Sequence, residues 1–270
     1  MYDSVKIMAL TKIILITGAS MGIGASLAKA FAKPNHHLIL VARSEDKLKK
    51  LASSLQGKCA KADYFATDLT SASGRQALLD WFTTYFQDLH VLINNAGMGI
   101  YGPLVKNDFD SIRKLFELNF FACVDLIQKF TPFLSGRSKA TIINTSSIAG
   151  HRGVPLMSIY CASKFALNGL VESIRPELKS LGIHCLNIYP GVTNTPFSEN
   201  AIERGWQPTP ANKRFSDSPD KVARKTYRAY LKGSREHFIN FTNPWVRGMN
   251  FIAPRLVDWI LSRFYRRNYS

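Results

Sequence analysis

Short apolar runs alternate along the chain with longer stretches in which apolar residues recur every three or four positions. The runs Ile13–Ile16, His37–Val41, Tyr64–Ala66, Val91–Asn94, Thr141–Asn144, Ile183–Tyr189 and His237–Asn240 predict seven strands. Between them the helical period predicts helices over Gly22–Ala32, Glu45–Leu55, Gln76–Phe86, Phe109–Phe130, Tyr160–Leu181 and Lys221–Leu231. Pro34 and Asn35 stop the first helix. Pro176 lies inside the fifth and predicts a kink, because proline removes a backbone donor. Strand and helix in alternation predict an α/β fold: a doubly wound parallel sheet with right-handed crossovers and helices on both faces. Ligands in such sheets bind beyond the C-terminal ends of the strands, so the residues just after each strand are where chemistry is expected.

Composition narrows the classes. The 270 residues are 46% apolar, enough for one well-buried core, and no repeat or linker divides them. We read residues 1–11 as a tail, 12–243 as one catalytic domain and 244–270 as a basic, amphipathic extension of it. No apolar run reaches the ~18–20 residues of a membrane span, and the N-terminus has no secretory pattern. Met8 is an alternative start, since the first strand begins only near Lys12. Cys59, Cys123, Cys161 and Cys185 are scattered, which argues against zinc or a disulfide framework and fits a reducing, cytoplasmic location. The formal charge of +16 is compatible with nucleic acid, an anionic membrane or a phosphorylated ligand, and also with plain solvated lysines. No zinc finger, basic zipper or RNP-like segment accompanies it, so no nucleic-acid partner is expected.

The first strand runs into Thr17-Gly18-Ala19-Ser20-Met21-Gly22-Ile23-Gly24, with a helix opening inside the turn. Glycines here permit a tight turn and close approach to a pyrophosphate, which the helix N-terminus attracts. This is the turn of a Rossmann-type dinucleotide site, with Gly18, Ser20, Met21, Gly22, Ile23 and Gly24 on the cofactor. The same residues match G-x-S-x-G, the nucleophile elbow of α/β-hydrolases, with Ser20 as nucleophile. The third glycine and the motifs downstream favour the dinucleotide reading. Tyr160 and Lys164 stand four apart at the start of a helix, so the phenol and the ammonium share one face. A nearby cation favours phenolate, and a phenol tuned that way can exchange a proton with an alcohol or ketone.

Taken with the motifs that follow each strand, the chain resembles the short-chain dehydrogenase/reductase family, in its single-domain branch with hydroxysteroid dehydrogenase-like members. The turn matches T-G-x-x-x-G-x-G, Thr67-Asp68-Leu69 the adenine-contacting acid, Asn94-Asn95-Ala96-Gly97 the N-N-A-G, and Pro190-Gly191-Val192-Thr193 with Thr195 the P-G-x-x-x-T. Asn119 matches the catalytic asparagine, and the family's spacing selects Ser147, thirteen residues before Tyr160, over Ser146. The resemblance implies Asn119, Ser147, Tyr160 and Lys164 as the catalytic set. Ser147 would hold the substrate oxygen and Tyr160 would pass it a proton. Lys164 would bind the nicotinamide ribose and lower the tyrosine pKa, and Asn119 would hold a relay water. Asp68, Leu69, Asn95, Ala96, Gly97, Pro190, Gly191, Val192, Thr193 and Thr195 would line the cofactor. The family also implies a homodimer or homotetramer and a substrate lid, here at about 196–215.

The second strand ends Val41-Ala42-Arg43-Ser44 with no acid at its tip, where an acid would bind the 2′-OH of NAD. Arg43 suits a 2′-phosphate, so NADP(H) is expected over NAD(H). Glu45 and Asp46 read as first-turn acids behind an N-cap at Ser44. Met98, Ile100, Tyr101, Val154, Pro155, Leu156 and Met157 would surround the cleft, with His151 a packing or rim residue, and Phe197, Ile202, Trp206 and Phe215 would oil the lid. A small lipophilic carbonyl or alcohol follows as the substrate class. Beyond Pro254, Leu256, Val257, Ile260, Leu261 and Phe264 recur on one face among arginines, and Trp245 and Trp259 accompany them. That pattern over 245–267 fits peripheral membrane contact, the protein's own core or a second subunit. Epimerases and dehydratases share a Tyr–Lys pair, but the glycine spacing and short chain fit the simple dehydrogenases better. The reading from another class is a non-catalytic NADP(H)-binding regulatory or scaffold protein, which would not need all four catalytic residues.

Overall fold

The computed structural model describes residues 11–206, 216–240, 248–249 and 252–269. Its strands are β1 Lys12–Thr17, β2 His36–Ala42, β3 Lys61–Ala66, β4 Val91–Asn94, β5 Ile100–Tyr101, β6 Thr141–Thr145, β7 His184–Tyr189, β8 Ile202–Glu203 and β9 Glu236–Phe238. The helices are α1 Gly22–Phe31, α2 Glu45–Ser54, α3 Ala72–Tyr85, α4 Phe109–Phe116, α5 Ala122–Leu134, α6 Ser158–Ser180, α7 Pro219–Leu231 and α8 Pro254–Tyr269. Seven strands form one sheet in the order β3-β2-β1-β4-β6-β7-β9, every pair parallel. The order reverses between β1 and β4, which opens a crevice at their C-terminal ends.

The period of two along each strand divides the core between the faces. Ile14, Ile16, Leu38, Leu40 and Ile93 pack under α1, α2 and α7 with Leu27, Phe31, Leu48 and Val222. Leu15, Ile39, Leu92 and Ile142 point the other way and pack under α3, α5 and α6 with Leu78, Phe82, Phe130 and Val171. Both faces are covered, which is why the strands read as nearly unbroken apolar runs.

Two elements depart from the sequence reading. Helix α3 begins at Ala72 rather than Gln76, because the Ser71 hydroxyl caps it by accepting from Gly74 N. The single helix expected over Phe109–Phe130 runs unbroken to Leu134, but with a π-helical turn at Glu117–Phe121 between α4 and α5. Helix α6 runs through Pro176 to Ser180, as the expected span to Leu181 requires. Glu172, whose carbonyl loses its helical donor there, lies on the exposed side where water can serve instead.

Candidate active site

The mouth of the crevice is tied together by Thr17 and Asn95. Thr17 Oγ1 donates to Ile93 O at 3.2 Å and accepts from the N–H groups of Asn95 (2.9 Å) and Ala96 (3.1 Å). Asn95 Nδ2 returns a bond to Thr17 O at 3.0 Å, and Thr145 Oγ1 donates to Asn95 Oδ1 at 3.3 Å. The ends of β1, β4 and β6 are therefore one hydrogen-bonded unit. Gly24 has no room for a side chain: a Cβ would sit 2.1 Å from Gly18 O. Gly18 has φ +63° and would press a Cβ to 2.8 Å from Ala96 Cα. These glycines let α1 rest directly on the end of β1.

What this creates is an open helix terminus. Ser71, Asp108 and Ser218 cap α3, α4 and α7 with their side chains, whereas Met21 at the N-cap of α1 supplies none. The first bond of α1 runs from Ala25 N to Met21 O, so the N–H groups of Gly22, Ile23 and Gly24 precede it. Half-buried Ser20 and Met21 flank this terminus, and Thr195 closes it from the β7 side, its methyl 3.2 Å from where a Cβ on Gly22 would lie. The loop leading there is held by Ile148 N on Pro190 O, by Thr193 Oγ1 on Gly191 O, and by paired bonds between Val192–Asn194 and Asp217. Donors, glycines and free space fit a pyrophosphate. The elbow reading of Ser20 gains no support, since among the described residues it has no hydrogen bond to a histidine. His36, His37, His90 and His184 bond Phe31 O, Asp63, Ile13 N and Ser234 O, His151 packs on Tyr189 and Phe238, and His237 lies on β9 with three strands between it and β1.

Arg43 is exposed at the tip of β2 and has no ion-pair partner among the described residues. Ser44 occupies the N-cap position of α2 but its side chain accepts no cap bond, which corrects that detail. Asp68 Oδ1 accepts from Thr70 N at 3.0 Å and shapes the turn after β3, with Leu69 buried beside it.

Ser147 follows β6 with its hydroxyl on the Tyr160 side, where it acts against the rise of the phenol's pKa. Ser146 instead donates to Asn168 at 2.6 Å, and Asn168 Nδ2 donates to Gly150 O. Only Ser147 therefore acts on the phenol. Tyr160 and Lys164 sit one turn apart at the start of α6, 8% and 5% exposed. Lys164 Nζ donates to Thr145 O at 3.0 Å, its one hydrogen bond among the described residues, and lies 5.8 Å from the Tyr160 ring centre. An ammonium has three donors, so two remain for a ligand with hydroxyls, such as a ribose. Asn119 is buried on the π-turn, where its amide accepts from Met98 N (2.9 Å) and donates to Met98 O (3.0 Å) and Ser163 Oγ (3.1 Å). A Cβ on Gly97 would lie 3.3 Å from Asn119 Oδ1 and 3.8 Å from Lys164 Nζ, so the two side chains converge there.

The electrostatics differ from the sequence expectation in one respect. Burial pushes the Tyr160 phenol above its usual range, the Ser147 hydroxyl opposes this, and Tyr101 and Cys161 add to it. Burial also pulls Lys164 down to about 8, with Cys123 opposing. The expected lowering of the phenol by Lys164 is overridden by desolvation, with the ammonium turned toward the Thr145 carbonyl. The phenol in this arrangement holds its proton.

The surroundings of Tyr160 are apolar: it packs in one cluster with buried Ile100, Leu115 and Cys161 and with partly buried Met98, Val154, Met157, Phe197 and Ile202. Phe197 from the lid segment sets its ring 5.8 Å from that of Tyr160. Strands β5 and β8 pair to hold this flap, Arg204 bonds Asp108 (2.6 Å) and Ser111 (2.8 Å), and Trp206 packs edge-on against Tyr101. The remainder of the lid, with Phe215, lies outside the described residues. His151 packs on Tyr189 and Phe238, 4.4 and 5.5 Å between ring centres.

Two features escaped the sequence reading. Arg75, almost wholly buried, donates to Leu69 O (2.8 Å), Glu117 (2.8 Å) and Asp125 (2.6 Å), joining the turn after β3 to the π-turn that carries Asn119. Asn94, Asn144 and Asn187 stand in register on β4, β6 and β7, and their amides bond across the sheet at 3.0 and 3.2 Å. One asparagine at a matching place in each apolar strand was the available signal for the second. An arginine inside a helix gave none for the first.

Comparisons with known proteins agree with this geometry. The sequence model for short chain dehydrogenases matches residues 12–205. A ketoacyl reductase, HetN, from Nostoc is 32% identical over 94% of this chain and 88% of its own. A short-chain dehydrogenase from Sphingobium yanoikuyae, solved with NADPH, superposes with a TM-score of 0.76 at 27% identity, covering 92% of this chain and 95% of that one. One from Burkholderia phymatum, solved with NAD, superposes at 0.81 with 25% identity and the same coverage.

Proposed function

The chain belongs to the short-chain dehydrogenase/reductase family of oxidoreductases, and from that premise we propose that it is an NADP(H)-dependent enzyme interconverting a lipophilic ketone and a secondary alcohol. The observation that carries this reading is the convergence of four side chains after β6: Lys164, buried one turn behind Tyr160, Asn119 beside it across Gly97, and Ser147 on the phenol's side, all within an apolar cluster.

A nicotinamide dinucleotide, when bound, supplies or accepts the hydride at the carbonyl carbon. The uncapped amides of Gly22, Ile23 and Gly24 would hold its pyrophosphate, Asp68 and Leu69 its adenine side, and Asn95 to Gly97 and Pro190 to Thr195 its flanks. Arg43, exposed and without an ion-pair partner among the described residues, would meet a 2′-phosphate, which supports NADP(H) over NAD(H). The solved relatives include both cofactors, so the arginine decides the proposal.

In the reducing direction Ser147 donates to the ketone oxygen and fixes it beside Tyr160. The raised proton affinity of the buried phenol keeps it protonated at neutral pH, ready to give its proton as negative charge develops on that oxygen. Lys164 stabilises the phenolate left behind, and its two remaining donors bind ribose hydroxyls. Asn119, next to Lys164 across Gly97, holds the end of the route by which the proton is replaced from solvent. The apolar cluster of Ile100, Val154, Met157 and Phe197 favours a lipophilic ketone. The family resemblance supports a homodimer or homotetramer as the working form.

The test is oxidation of NADPH by purified protein across a panel of apolar ketones, followed at the nicotinamide absorbance band. Turnover with at least one ketone, slower with NADH, is expected. Tight NADPH binding without turnover on the whole panel would leave a nucleotide-binding scaffold instead.

A further inference from the structure

Helix α8 has two unlike faces. Its inner face is attached to the catalytic body: Asp258 pairs with Arg152, and Leu261, Ser262 and Tyr265 face Val154, Cys161 and Phe165 across a groove of about 880 Å³. Ala253, Val257 and Leu261, four apart, are half-buried on that side. Turned away from it are Leu256, Trp259 and Ile260, 48%, 57% and 49% exposed, preceded by Ile252 at 80%. Arg263 lies over the Trp259 ring at 5.1 Å, and Arg255 stands beside Leu256. From residue 244 onward the sequence holds five arginines and one acid, Asp258, which is the residue already paired with Arg152.

An outward stripe of four large apolar side chains marks a contact surface. Among the described residues the protein's own core does not cover it, because the opposite face of α8 makes that contact. A second copy would bring a further +16 and the same arginines against these. A nucleic acid would satisfy the arginines and leave the stripe in water. An anionic lipid surface satisfies both at once: the apolar side chains enter the acyl boundary, tryptophan sits at headgroup level, and arginines meet the phosphates. No helix among the described residues is long and apolar enough to cross a membrane, so the contact is one of lying on it.

We propose that α8 lays the Ile252–Leu256–Trp259–Ile260 face on an anionic membrane surface. Val154 lines the groove under α8 and also packs in the apolar cluster around Tyr160, so this docking holds that cluster just behind the lipid-facing helix. The consequence, delivery of a membrane-dissolved ketone, rests on the function proposed above; the docking itself does not.

Flotation of the full chain with vesicles tests it. The wild-type protein is expected to float with phosphatidylcholine–phosphatidylglycerol vesicles at low salt, to remain behind with phosphatidylcholine alone, and to be released at high salt. Trp259→Asp with Ile260→Asp should abolish flotation while leaving reduction of a water-soluble ketone unchanged. Arg255→Ala and Arg263→Ala should each weaken vesicle binding roughly fivefold. Absence of wild-type flotation at low salt overturns the proposal. So does equal flotation of the aspartate variant, or light scattering in which that variant converts a dimer to a monomer, which would give the face to a second copy.

Discussion

Replacing Lys164 with methionine should stabilise the cofactor-free protein and remove its activity. The ammonium is 5% exposed, and burial brings its pKa from the ordinary 10.5 to about 8. That difference corresponds to about 3 kcal/mol by which the folded state disfavours the charge at neutral pH. Methionine keeps the aliphatic volume without the charge. It forfeits the bond to Thr145 O, and leaving that carbonyl unpaired costs about 1 kcal/mol. The net gain is about 2 kcal/mol, or a rise in Tm of about 5 °C for a chain of this size. The pH dependence gives the sign independently. Between pH 8 and 10.5 the unfolded lysine holds a proton that the folded one has lost, so wild-type stability rises with pH across this window. The variant lacks that rise, so its advantage should vanish within the window and turn into a deficit of about 1 kcal/mol, the lost Thr145 bond, by its top. Thermal melts of both proteins from neutral to alkaline pH read this directly. A variant less stable than wild type at pH 7, or an advantage that stays constant with pH, would refute the argument that the site holds Lys164 against its solvation for the sake of the reaction.

Three further outcomes follow. Gly24→Ala places a methyl 2.1 Å from Gly18 O, so it should lower stability by about 1–3 kcal/mol in a thermal or urea melt and abolish NADPH binding by fluorescence titration. Arg43→Asp should raise the KM for NADPH tenfold or more, as expected for loss of a charge-assisted bond of roughly 1.5–3 kcal/mol, with little change for NADH. An unchanged preference would remove the NADP(H) assignment. Arg204→Ala frees the flap from Asp108 and Ser111 and should raise the KM for an apolar ketone with kcat nearly kept. A loss confined to kcat would show that the pair acts elsewhere than on the lid.

The parts of this architecture that were legible in the sequence are those written in local patterns. Strands buried on both faces announce themselves as apolar runs, and the glycine turn, the N-N-A-G and the Tyr–Lys spacing each sit at the end of one element or the start of the next. The rest depends on contacts between distant segments. The amphipathic period continues on both sides of Glu117–Phe121, so nothing in it marks the π-turn that presents Asn119. Strands β5 and β8 are two residues each, too short for any period, and exist only because the flap crosses the chain a hundred residues earlier. The balance of charge on Tyr160 was misjudged for a related reason. Sequence spacing placed the ammonium beside the phenol, but how deeply both are buried is a property of the assembled fold, and burial outweighs proximity.

On the function proposed above, Tyr160 gives its proton to the ketone while the rest of the site binds cofactor independently of it. Tyr160→Phe removes the hydroxyl and little else, so NADPH titrated by nicotinamide fluorescence should bind the variant as tightly as wild type. Single-turnover reduction of a ketone accepted by the wild type should fall by about 10²–10⁴-fold. Unchanged binding with turnover lost would establish the assignment. Turnover close to wild type would contradict it and require the proton to come from another group.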